Sequence, residues 1–201
     1  VFTRLNIGKI SLTNAELIKA LFLNRSNFRV SDDKHLKLRQ QEIASEWDNT
    51  EYTLQNDEFW LFLNEKGYSR PTRIDFIFDL ICEQNKLGLN DEKYGMIGSD
   101  DYRTFRYFYE YFHSDQSSIE KCWNEVKAYF QTFKEWYEDL ELYHYVGYLI
   151  VHGHTIHNLV AEWNASADKS YFMIGLKKKI AGEIKKCPPL DYQYKADGSD
   201  K

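Results

Sequence analysis

Glycine and proline are scarce in this chain, at 10 and 3 of 201 residues. So few breakers leave little room for the tight turns of a sheet-rich fold. Cysteine is scarcer still. Cys82, Cys122 and Cys187 are odd in number, widely spaced and form no CxxC pair, so no disulfide framework or zinc ribbon is implied. All three read as reduced, inert thiols. Long apolar runs are missing too. The longest, "YVGYLIV" at residues 145–151, falls far short of the roughly 18 residues a membrane span needs. No basic-then-apolar leader precedes the first helix, and the expected location is the cytoplasm. No P-loop, GxGxxG, GxSxG or HExxH motif occurs, and no nucleophile–base pair stands out. No catalytic residue is therefore assigned.

What the chain does have is aromatic side chains: 13 Phe, 15 Tyr and 5 Trp. With 43% hydrophobic residues overall, a sizeable core can form. Charge is uneven. Residues 1–50 carry 8 Lys/Arg against 6 Asp/Glu, residues 51–150 carry 10 against 19, and residues 151–201 carry 8 against 6. A nucleic-acid binder shows a concentrated basic footprint, and the middle hundred residues show the reverse.

The apolar spacing predicts an all-α fold, an irregular bundle of about seven to nine helices in one domain over 1–186, with a disordered tail at 187–201. Thr13 to Glu16 spell a capping box, so a helix is expected over 14–24, with Leu17, Ile18, Leu21 and Phe22 on one face. Leu36, Ile43, Ala44 and Trp47 mark a second helix. Asn56 or Asp57 caps a third, which Gly67 ends. Pro71 and Thr72 open a fourth, because proline suits a first helical turn. Residues 87–101 read as a flexible loop. Tyr102, Phe105, Phe108, Tyr109 and Phe112 share one face of an aromatic helix. A long helix is expected over 118–142, two shorter ones over 143–151 and 155–163, and a last one through Lys186, stopped by Pro188 and Pro189.

Four features could carry chemistry. His152, His154 and His157 cluster at "HGHTIH", but residues two apart point to different helix faces and no Cys or carboxylate adjoins them, so an ordinary helix junction is favoured over a metal. "LKKKIAGEIKK" carries five lysines, which could track a phosphate backbone or simply form the solvated face of a terminal helix. Asp75 and Asp79 lie four apart, as acid–base or Mg²⁺-holding carboxylates can, but a solvated stripe beside the core is the plainer reading. The aromatic helix, with Arg103 and Arg106, could stack bases, though such stripes usually form core.

One stretch reaches further. "VFTRLNIGKISLTNAELIKALFL" resembles the Phe-x-Arg-x-Asn-x-Gly…Leu-Thr-x-x-Glu-Leu segment of the GmrSD-type restriction endonuclease N-terminal domain, through Phe2, Arg4, Leu5, Asn6, Gly8, Leu12, Thr13, Glu16 and Leu17. "EWDNTEYTLQNDEFWLFLN" and "PTRIDFIFDLI" resemble its helical continuation. The likeness is specific over 1–85 and looser over 86–186. It implies a bacterial restriction or phage-defence system acting on foreign, modified DNA, with a nucleoside triphosphate and a divalent metal used by the parent protein. The family's Asp-Gly-Gln-Gln-Arg motif and its Asp-His-Ile-x-Pro nuclease motif are both missing from these 201 residues. The resemblance therefore implies the helical part of a longer protein, cut at Val1 and not catalytic by itself. Its partners would be the rest of the parent, including an HNH-type nuclease, with DNA reached through the parent; a homo-oligomer is compatible.

Arg4, Asn6, Gly8 and Lys9 are the candidate nucleotide- or phosphate-binding residues. Arginine offers a planar fork for phosphate, Asn can fix a base edge, and Gly lets the backbone come close. The competing reading is a structural turn in which Asn6 caps and Arg4 pairs with Glu16. Two other functions stay open: a helical protein–protein interaction module, and DNA binding through the lysines of 177–186.

Overall fold

A computed structural model describes residues 12–29, 32–63, 70–86, 102–114 and 117–186. Among them the structure is all-α, with no strand. Helix α1 spans Asn14–Leu23, α2 Asp33–Leu54, α3 Asp57–Leu63, α4 Asp75–Lys86, α5 Arg103–Phe112, α6 Ile119–Glu138, α7 Leu140–Val151, α8 Ile156–Ala165 and α9 Lys169–Lys186. A 3₁₀ turn, Arg25–Asn27, follows α1. The expected loop at 87–101, Gly67 and the expected tail at 187–201 lie outside the described residues.

The helix starts follow the caps written in the chain. Thr13 accepts the Glu16 amide at 3.2 Å and Glu16 accepts the Thr13 amide at 2.7 Å, the reciprocal box the sequence predicts. Asn56 accepts the Phe59 amide at 3.0 Å ahead of α3. Thr155 and Asp168 serve α8 and α9 in the same way, through the amides of Asn158 and Tyr171.

Two boundaries differ from expectation. Pro71 and Thr72 do not open α4, which begins at Asp75. The chain enters through tighter bonds, Phe76 N–H to Arg73 C=O and Ile77 N–H to Ile74 C=O, the i→i+3 pattern of a helix entry. The single helix expected over 118–142 is broken at Asp139. This residue is extended (φ −84°, ψ 117°), and its carboxylate accepts the Leu142 amide at 3.0 Å, ending α6 and starting α7 at one position.

Helices α4 and α6 form the centre. Helix α6 packs against α3, α4 and α7; α4 also packs against α1, α5 and α8; α9 covers α7 and α8. The aromatic residues fill the space between them in two clusters. In the first, Phe22 from α1 lies within 5.2–6.4 Å, ring centre to ring centre, of Trp47, Phe78, Phe108, Phe112 and Trp123. Trp47 and Trp123 stack at 5.9 Å and 7°. In the second, Trp136 stacks on Phe172 at 5.4 Å and both meet Trp163 edge-on. Offset and edge-on aromatic pairs add stability beyond their buried area, and here they tie five helices to α1 and α9.

Candidate functional site

Helix N-termini carry unsatisfied amides and partial positive charge, so where several meet, acceptors must be supplied. Helices α1, α4 and α5 pack on one another, and the start of α1 reaches both the first turn of α5, at Phe105, and the start of α4, at Asp75. The Tyr102 side chain makes no capping bond for α5. Instead Asn14, the first residue of α1, accepts the Phe105 amide at 3.2 Å, so α1 caps α5 from across the interface. From α5, the Thr104 hydroxyl donates to Asp79 of α4. The other Asp79 oxygen accepts from Arg70 Nε at 3.1 Å. Thr72 donates to Asp75 at 2.8 Å. The Ala15 amide of α1 points toward the Asp75 carboxylate without closing a hydrogen bond. The three helices thus exchange polar contacts in a ring.

The sequence expectation of a solvated carboxylate stripe fails here. Asp75 is 1% exposed, and its Oδ1 has no hydrogen-bond partner among the described residues. The cause is the neighbouring apolar positions: Ile74, Phe76, Ile77 and Phe78 are all buried, so α4 is enclosed on nearly every side. Burial pushes the Asp75 carboxyl above the usual aspartate range; Thr72 pulls it back, and nearby Asp79 pushes it further up. Acid–base or Mg²⁺ chemistry has no support at this pair. Asp79 is committed to Arg70 and Thr104, and among the described residues no three His, Cys, Asp or Glu side chains converge on a metal position.

Arg4, Asn6, Gly8 and Lys9, the predicted phosphate-binding residues, lie outside the described residues. The segment that carries them joins the fold at Leu12, directly before the Thr13 cap of α1.

The remaining candidates separate. His152 Nδ1 meets the Tyr148 carbonyl at 2.8 Å, His154 faces Glu183 at 3.3 Å, and His157 faces Glu83 at 3.6 Å. Gly153, at φ +90°, makes the left-handed turn that sends them apart. Of the five lysines in 177–186, Lys179 pairs with Glu162 at 2.8 Å, Lys186 with Glu183 at 2.7 Å, and Lys177 lies over the Tyr145 ring. Local carboxylates and a ring thus engage three of the five lysines. The aromatic helix is core: Phe105, Tyr107, Phe108 and Phe112 are buried, and Arg103 pairs with Glu83 at 3.0 Å. Cys82 and Cys122 are buried thiols, and burial drives the Cys122 pKa upward, away from nucleophilic use.

Sequence reasoning missed Asn14, Arg70 and Thr104. One pattern pointed to the place: Thr72-x-x-Asp75 repeats the Thr13-x-x-Glu16 arrangement one helix pair away. Nothing along the chain links Asn14 to Phe105. Comparison with protein-family models, curated proteins and solved structures returns no match.

Proposed function

We propose that this chain is the helical portion of a GmrSD-like restriction or phage-defence protein, supporting nucleotide-dependent recognition or cleavage of foreign, modified DNA in the bacterial cytoplasm. Catalysis, the nucleoside triphosphate and the divalent metal belong to the rest of the parent, since the carboxylates at the α1–α4–α5 junction are already engaged or enclosed. One observation carries the reading. Two of the three stretches that hold the resemblance, one reaching Thr13–Leu17 and one containing Asp75–Ile81, lie about sixty residues apart in the chain yet meet at one polar junction. Arg4, Asn6, Gly8 and Lys9 precede Thr13 in the chain. A helix N-terminus behind a glycine-bearing segment suits an anion.

The test is Arg4→Ala in the full parent protein, reading nucleotide turnover alongside the circular dichroism of the fold. Lowered turnover with intact helicity is expected. Unchanged turnover with intact helicity removes Arg4 from the site.

A second reading, a helical protein–protein interaction module, is favoured by exposed apolar side chains. Leu61, Leu140 and Val151 are each more than 70% exposed, and a contiguous apolar patch is what marks such an interface. Tight self-association of the chain, with no response to nucleotides, would move the assignment to this class.

A further inference from the structure

Among the described residues, Asp75 is the only acidic side chain that is buried, beside the polar Asn14, Thr50 and Thr104. A buried carboxylate normally gathers several donors or a cation. Asp75 has one hydrogen bond, from Thr72, and an Oδ1 with none. Among the described residues, the cation that acts on Asp75 is Arg70, and it gives its Nε to Asp79. Asp79 places a second negative charge one helical turn away.

The groups around Asp75 can be counted helix by helix. From α4 and its approach come Thr72, Arg70 and Asp79. From α1 comes the Ala15 amide, while α1's own charges turn elsewhere: Glu16 to Thr13 and Lys19 to Asp48 at 2.7 Å. From α5 comes Thr104, which serves Asp79, and Arg103 pairs with Glu83. From α6, Glu125 accepts from Asn85 at the other end of α4. Thr72, Ala15 and Arg70 favour the anion; enclosure and Asp79 oppose it, and the opposing pair prevails.

We propose that Asp75 is a proton-operated lock on the α1–α4–α5 junction: protonated, it lets the three helix starts close on one another, and ionised, it loosens them. The geometry gives the route. An ionised Asp75 needs water, and parting α4 from the start of α1, where the Ala15 amide faces the carboxylate, opens a way to it. Asn14 sits at that start and accepts the Phe105 amide, a polar tie between α1 and α5 beside the ring contacts of Phe22 with Phe108 and Phe112. The loosening therefore passes from α4 through α1 to α5.

The sign follows from linkage. A carboxyl whose folded pKa is raised binds its proton more tightly folded than unfolded. Its contribution is fully present below the ordinary aspartate value, about 3.9, and falls away as pH rises through the folded value.

The experiment is a carboxyl-carbon NMR titration of the whole 201-residue chain, with amide hydrogen exchange of Phe105 followed over the same pH range. Asp75 should titrate above about pH 3.9. Phe105 protection, corrected for the intrinsic pH dependence of exchange, should fall at least tenfold across that titration. In Asp75→Asn, an isosteric neutral side chain, the fall should vanish. Titration of Asp75 at or below the ordinary value overturns the proposal, as does a Phe105 profile shared by wild type and Asp75→Asn. If the variant fails to fold, the wild-type titration and exchange profile decide the matter alone.

Discussion

Asn14 and Phe105 lie 91 residues apart in the chain, and the side chain of one accepts the backbone amide of the other at 3.2 Å. A helix usually finds its cap in the residue before it. Here α5 takes its cap from the first residue of α1, because Tyr102 supplies no capping bond. Asn14 is thereby fixed in two roles, since it also begins α1 inside the Thr13–Glu16 box.

Replacing Asn14 by alanine should therefore cost more than an ordinary surface substitution. The lost cap alone accounts for about 1 kcal/mol, and the Phe105 amide is left in a buried interface, where an unmade bond costs ~1–3 kcal/mol. Asn14→Asp keeps an acceptor oxygen and should recover most of the loss. Urea unfolding of the two variants measures this; equal loss in both would mean that the oxygen does not matter.

Phe22 is fully buried and touches five aromatic rings drawn from α2, α4, α5 and α6. Phe22→Ala should destabilise the chain by ~3–5 kcal/mol, the range for emptying a large aromatic site. Phe22→Leu should cost clearly less, since it retains most of the volume. Denaturant midpoints at constant slope give the comparison.

Glu46 joins α2 to α6 by accepting from Trp123 Nε1 and from Lys127 at 3.3 Å. Burial pushes its pKa up, but those two hydrogen bonds outweigh the burial and hold it below the usual glutamate range. A depressed carboxyl stabilises above its unfolded value, near 4.3, and that contribution is lost as pH falls through the folded value. Glu46→Gln should thus be less stable than wild type at pH 6, with the gap closing toward pH 3. A gap that does not change with pH would contradict the assignment.

Much of the helix pattern was legible in the chain because it depends on neighbours. Thr13 with Glu16, Thr155 with Asn158, and the stripe from Ile119 to Trp136 are local relationships, and the structure reproduces them. Asp139 was legible in principle as a cap, but the apolar periodicity of α6 runs on to Leu142 and hid the break. The polar junction was much less so. Only the three-dimensional arrangement brings the Ala15 amide to Asp75, Asn14 to Phe105 and Thr104 to Asp79.

The break at Asp139 has a consequence for the order in which the chain assembles. Ending α6 and starting α7 at a single residue, it lets α7 pack on α6, and α9 then packs on α7 and α8, all close by in the chain. Such short closures are entropically cheap and fast. The ring of caps at the other end cannot close until residues 91 apart have met. Pulse-labelled exchange during refolding should therefore find α6–α9 protected while the Phe105 amide still exchanges, with the start of α1 the last piece set in place.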